Sequence, residues 1–205
     1  MYNTEGIKDL FDDTYVTGAL IIKPATDEEI ARCNEDMGIV LGSRSSGDRL
    51  DTIRQGNRSA SSSSAPKLSL PEGYVRFLKI ANGYAWNGFE FFGTYRVTEK
   101  KSGYTIPDIV TMNQDMHERK LGLTNMIVLG RFDDDLYVYN YAESKYQALD
   151  NLTLFLIDSF KEFDDLFICY VSMYTDEEKI SYDDESDDDE FDDEDIIEDD
   201  GNADQ

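Results

Sequence analysis

An α+β fold, a single domain with a central, mostly antiparallel sheet packed against helices, is the class this sequence predicts. Three observations carry it. Helix starts recur ahead of apolar stripes with a 3.6-residue period, near residues 26–37, 70–81 and 159–174. Apolar or aromatic runs at 126–130, 136–141 and 146–150 are separated only by turn residues, as in a meander. Asn87-Gly88 stands directly before the aromatic run Phe89-Glu90-Phe91-Phe92, the mark of a tight turn into a strand.

Taken in order, Thr4 to Asp12 forms a short helix with Ile7, Leu10 and Phe11 on one side, and Ala19 to Ile22 is a brief apolar piece ended by Pro24. Thr26 and Glu29 make a capping box, each side chain satisfying the other residue's free backbone N–H. The helix they open carries Ile30, Cys33 and Met37, with Gly38 as its expected stop. Residues 41–66, rich in Ser, Gly and Arg, have only Leu50 and Ile53 as large apolar residues near their centre. They read as a mobile insert, because so little apolar surface does not offset the entropy of ordering. An alternative is a recognition arm whose arginines meet an acidic partner or the chain's own acidic tail.

Pro71 suits the first turn of the next helix, since its missing N–H would have had no partner there. Tyr74, Phe77, Leu78 and Ala81 form that helix's stripe, and Asn82-Gly83 closes it. Tyr95 to Val97 extends the aromatic strand, and Lys100 to Gly103 is a loop. Ile106-Pro107-Asp108 opens a helix through Asn113 and His117 that ends near Gly122. Met126 to Gly130 is a near-continuous apolar run, as in a strand buried on both faces. Ser159 and Glu162 suggest a further capping box before a last helix bearing Phe160, Phe163, Phe167, Tyr170, Val171 and Tyr174. The domain therefore runs over 1–174, and residues 175–205 form an acidic tail expected to be disordered.

Two blocks, "LPEGYVRFLKIANGYAWNGFEFFGT" at Leu70–Thr94 and "GRFDDDLYVYNYAESKYQALD" at Gly130–Asp150, resemble the SUKH superfamily in kind and order. That family groups bacterial immunity proteins with fungal regulators of cell-wall synthesis. The resemblance covers about residues 5–40 and 67–174; the "PATDEEI" helix start fits it too, but here the long insert separates it from the "LPEGYVRFL" helix. The resemblance implies an immunity protein that binds and neutralises a toxin domain, often a nuclease, and that is not an enzyme. The fungal relatives imply a regulatory or scaffolding module instead.

Charge and chemistry-bearing residues narrow the function classes. The net charge is −25, and 18 of the 44 acidic residues fall in 176–205, so the tail holds most of it. Nucleic acid binding is disfavoured, since phosphate contacts need a basic surface. No apolar run approaches the roughly 18 residues that span a bilayer, and no signal pattern opens the chain, so a cytoplasmic setting with no membrane contact is expected. Cys33 and Cys169 match no metal or redox spacing; Cys169 in its apolar stretch reads as a buried thiol. His117, the only histidine, lacks an evident partner and reads as a surface helical residue, so neither acid–base catalysis nor zinc is expected. No phosphate loop is present, and no cofactor is implied.

The candidate partner-binding residues are Trp86, Glu90, Asp133, Asp134 and Asp135. Trp86, placed in the turn before the strand, is either a lid over the core or an anchor for a partner. Phe89 and Phe91 point to one face of their strand, Glu90 and Phe92 to the other. Asp133-Asp134-Asp135 lacks the alternating spacing and central glycine of a calcium loop. It is therefore a solvated turn or an acidic loop facing a basic partner. A pocket for a small ligand or substrate beside the aromatic cluster is the third function considered.

Overall fold

The computed structural model describes residues 4–44, 69–119 and 121–183. Five helices pack on a seven-stranded sheet in which every neighbouring pair runs antiparallel. The strands are β1 (Leu20–Ile21), β2 (Tyr84–Trp86), β3 (Phe89–Phe91), β6 (Met126–Phe132), β7 (Asp135–Asn140), β8 (Lys145–Asp150) and β9 (Leu156–Phe160). Their spatial order is β1-β2-β3-β6-β7-β8-β9. A separate ribbon pairs β4 (Val97–Thr98) with β5 (Thr105–Ile106). The predicted fold class is the one observed.

One face of the sheet is covered by α1 (Thr4–Val16), α3 (Glu72–Leu78) and α5 (Phe163–Asp183). Alternation along the strands sends Tyr84, Phe91 and Tyr137 to this face, where aromatic rings from all three helices meet them. Phe11 of α1 stacks on Tyr84 at 5.4 Å, Phe77 of α3 lies 5.9 Å from Phe91, and Phe167 of α5 lies 5.0 Å from Phe91. Tyr74, fully buried, sets its hydroxyl 2.6 Å from the Phe92 carbonyl and 2.9 Å from that of Leu129. It donates to one of them at a time, so the polar end of an interior ring is satisfied.

Helices α2 (Asp27–Arg44) and α4 (Ile109–Arg119) pack on each other and add Ile30, Cys33, Met37, Ile109 and Met116 to the same core, while the β4–β5 ribbon packs Ile106 against Ile22 and Ala85 in a second, smaller cluster. The capping box forms as the sequence predicts: Thr26 N–H donates to Glu29 at 2.8 Å and Glu29 N–H to Thr26 Oγ1 at 3.2 Å. Asp108 caps α4 through the Thr111 N–H at 2.8 Å. Asn113 and His117, four residues apart on α4, reach the same edge of β6. β3 ends opposite Gly130, which leaves the earlier main chain of β6 without a strand on that side. There the Asn113 side chain donates to the Val128 carbonyl at 2.7 Å and accepts from the Val128 N–H at 2.8 Å. His117 Nε2 lies 3.0 Å from the Met126 carbonyl. Two helix side chains thus continue the ladder where a strand runs out.

Several boundaries differ from the sequence expectation. Gly38 does not stop α2, which continues to Arg44, so the first residues of the expected insert are helical; the remainder, 45–66, lies outside the described residues. Likewise α5 runs to Asp183, past the expected domain end at 174, and the tail from 184 lies outside the described residues. The α3 helix ends at Leu78 rather than at Ala81, and Asn82 instead locks the chain to Thr94 through bonds of 2.9 and 2.7 Å. Tyr95 to Val97 does not lengthen β3, since Val97 pairs with Ile106 in the separate ribbon. Ser159 is no helix cap. It lies in β9 opposite Gln147, and the strand holding it, Leu156–Phe160, was not foreseen.

Candidate functional site

Two regions carry the candidate residues. The first surrounds the β2–β3 hairpin. Asn87 (φ 44°) and Gly88 (φ 89°) form its two-residue turn, as expected for hairpins that need left-handed residues. Trp86 lies in β2 itself, not in the turn, paired with Phe89 and stacked on it with the rings 9° apart. It is 5% exposed, and its indole N–H donates to Thr17 at 2.8 Å. Trp86 is thus a core lid, with its edge forming part of a groove of about 730 Å³. Tyr15 and Tyr104 are the groove's other aromatic residues, and Glu99, Lys101 and Ser102 of the β4–β5 turn supply its polar wall. The Ser102 hydroxyl and the N–H groups of Lys101 and Ser102 hold the Glu99 carboxyl down to about 2, so that wall keeps its negative charge.

Glu90 lies on the opposite side of the hairpin from the Trp86 ring. Its side chain is 9% exposed and pairs with Arg131 Nε at 2.6 Å across the β3–β6 ladder. The Tyr104 hydroxyl donates to the other carboxylate oxygen. Burial, then the Glu90 carboxylate beside it, push the Tyr104 hydroxyl well above its ordinary range, so it stays a donor. Glu90 therefore pins the β4–β5 ribbon onto the sheet and is not the centre of an exposed surface. Both side-chain sets of β3 are buried, Phe89 and Phe91 under one helical layer and Glu90 and Phe92 on the other side.

The second region is the end of the sheet where β6 turns into β7. Asp133 (φ 49°) and Asp134 form the two-residue turn, both exposed, and Asp135 begins β7 directly opposite Asp150 of β8. Among the described residues, Asp133, Asp134 and Asp135 form no ion pair, and no group of three ligating side chains converges on a metal position. Partial burial first, then the charges of Asp150, Asp134 and Asp133, push the Asp135 carboxyl above its usual range. The folded state consequently holds that proton more tightly than the unfolded chain. The resulting stability is complete below the unfolded value of about 3.9 and is lost as pH rises through the raised folded value. Asp135→Asn should therefore stabilise the protein by about 0.5 kcal/mol at pH 7, the scale of a cross-strand like-charge pair. Below roughly pH 3.5 that gain should vanish. Urea unfolding at both pH values checks this; an unchanged stability at pH 7 would remove the cross-strand repulsion from the account.

Of the predicted site residues, only the three aspartates stand together at a surface. His117 is 6% exposed and bonded to β6, so the surface assignment is corrected: the main chain it satisfies is distant enough to be invisible in local sequence. The Cys169 reading is corrected as well. Cys33 is the buried thiol, pushed up to about 12 by burial and by Asp36 and Asp108. Cys169 is only half-buried at the α5 surface. Sequence reasoning missed Arg131, Tyr104 and Asp150, whose roles come from cross-strand and ribbon contacts. It also missed the exposed apolar residues Leu152, Phe155, Leu156 and Ile157 beside Asp150. Their signal was legible, because residues 152–157 are a run of apolar and β-branched types. Among the described residues no helix is long and apolar enough to cross a membrane. No protein-family model matches the chain, and no curated protein matches it.

Proposed function

We propose that this chain is an immunity-type protein of the SUKH superfamily, which neutralises a toxin domain by binding it in a one-to-one complex. The observation that carries the proposal is the acidic sheet end. Asp135 faces Asp150 across the β7–β8 ladder, with Asp133 and Asp134 beside them, an arrangement that works against the fold. A basic partner relieves that repulsion on binding, and a nuclease toxin, which must itself hold phosphate, is such a partner. Complementary charge also speeds encounter and rejects acidic competitors.

The test starts from the genes that flank this one: a toxin domain encoded there is the partner the proposal expects. Co-expression should restore growth, and the purified proteins should form a tight complex. Replacing Asp133, Asp134 and Asp135 together by Asn should lower the association rate about tenfold at low salt and flatten its salt dependence. Stopped-flow association at two salt concentrations measures both. A triple variant that associates at the wild-type rate would exclude this turn as the steering surface, and failure of the neighbouring domain to bind would exclude the immunity role.

A second function draws support from the groove beside Trp86. Its volume of about 730 Å³ and its three aromatic walls suit a small aromatic or apolar ligand. Quenching of the single tryptophan by such a ligand, at a concentration that leaves toxin binding intact, would favour this role.

A further inference from the structure

Among the described residues the seven-stranded sheet has two open edges, β1 and β9, and they are unlike. β1 contributes two residues, while β9 contributes five and follows a loop that brings further apolar side chains to the same place. Leu152 is 80% exposed, Phe155 75%, Leu156 56% and Ile157 51%. Protein sheets ordinarily shield such an edge with charge, proline or a covering element, because its free N–H and C=O groups recruit strands. Here the ladder shifts register between Ala148 and Leu149, so Leu149 pairs with Leu156, Ala148 with Asp158, and Ile157 is left unpaired. The shift narrows the choice of partner without covering the apolar row.

The surroundings of this edge decide the occupant. Asp150 N–H donates to the Phe155 carbonyl at 2.9 Å and Asn151 N–H to the Asp134 carbonyl at 2.6 Å, so the acidic turn and the apolar edge are one continuous surface. Asp158 adds an exposed carboxylate within β9 itself. A second copy of the chain would bring the same acids against each other, which disfavours pairing of β9 with β9. A strand with alternating basic and apolar side chains meets both halves of the surface.

We propose that the β9 edge receives an extended, basic segment of a protein partner, added as a further strand. Its apolar side chains would lie on Phe155, Leu156 and Ile157, and its Lys or Arg side chains beside Asp134 and Asp158. The five residues of β9 offer about 17 Å of main chain for such pairing. The charge of the occupant follows from the toxin-binding proposal above, yet the test does not require the toxin.

Isotope-labelled full-length protein is titrated with a peptide of about ten residues alternating Lys and Ile, a length that spans β9 with margin. Saturable shifts are expected at the amides of Leu156 to Phe160. Affinity should fall about tenfold or more in the Phe155→Ser plus Ile157→Lys double variant, and similarly when Glu replaces Lys in the peptide. Both substituted side chains are more than half exposed, so folding should persist. Should the double variant unfold, Ile157→Thr alone supplies the comparison. Shifts centred on Trp86, no saturable shift, or equal binding by the variant would overturn the proposal. So would concentration-dependent dimerisation in sedimentation that moves these same amides, since it assigns the edge to a second copy. Loss of toxin binding with the peptide response retained would overturn the immunity role and leave the edge assignment standing.

Discussion

Phe77→Ala is expected to cost about 3–5 kcal/mol, the range for emptying a buried aromatic site. Phe77 is fully buried, and its ring lies among rings from α1, β3 and α5. It lies 6.3 Å from Phe11 of α1, 5.9 Å from Phe91 of β3, and 5.1 and 5.5 Å from Phe163 and Phe167 of α5. With rings packed on all sides, the cavity left by alanine has no mobile neighbour to fill it. Urea unfolding should show a lower midpoint at unchanged slope, with a fall in melting temperature of roughly 10 °C or more. Arg32→Ala, at an exposed position of α2, should cost under about 0.5 kcal/mol. Equal losses at the two positions would refute the central place given to Phe77.

Asn113→Ala is expected to cost about 3 kcal/mol, because it strips two buried backbone groups of their partner at once. The Val128 N–H and C=O are held by this side chain alone on the side where β3 has ended. Alanine returns neither bond, and water has no ready path, since Val128 and Asn113 are fully buried. Hydrogen exchange separates this mechanism from loss of packing. The Val128 amide should lose far more protection than amides of the β7–β8 ladder, whose partners are untouched. Uniform loss across the sheet would mean that Asn113 acts only as a filler.

The two positions also differ in how far the sequence disclosed them. Phe77 stands in a helical stripe with Tyr74, Leu78 and Ala81, and periodicity alone places it inside. Asn113 and His117 share a stripe as well, but a polar residue on an apolar stripe has no local signature of its partner. That partner is 15 residues away for Asn113 and 9 for His117, on a strand whose neighbour happens to stop short. The acidic residues divide in the same way. The aspartates of the turn are plain in the sequence, whereas the pressure that Asp150 puts on Asp135 exists only once β7 and β8 pair in this register.

Local chemistry therefore determined a good deal: the α+β class, the capping box at Thr26 and Glu29, the Asn87-Gly88 turn, the buried strand at 126–130 and the aromatic stripes of α3 and α5. Each depends on interactions within a few residues, and those are written in order along the chain. Where helices stop was decided elsewhere. Gly38 did not end α2, and the acidic residues after Tyr174 did not end α5 at once, because a hydrogen-bonded helix propagates past a weak breaker more readily than it starts anew. Tertiary structure alone turned Glu90 inward onto Arg131 and Tyr104, gave His117 to the edge of β6, and left β9 with an apolar row beside an acidic turn. Those outcomes follow from which strands become neighbours and where each one ends, and pairing between distant segments leaves no period or spacing in the sequence.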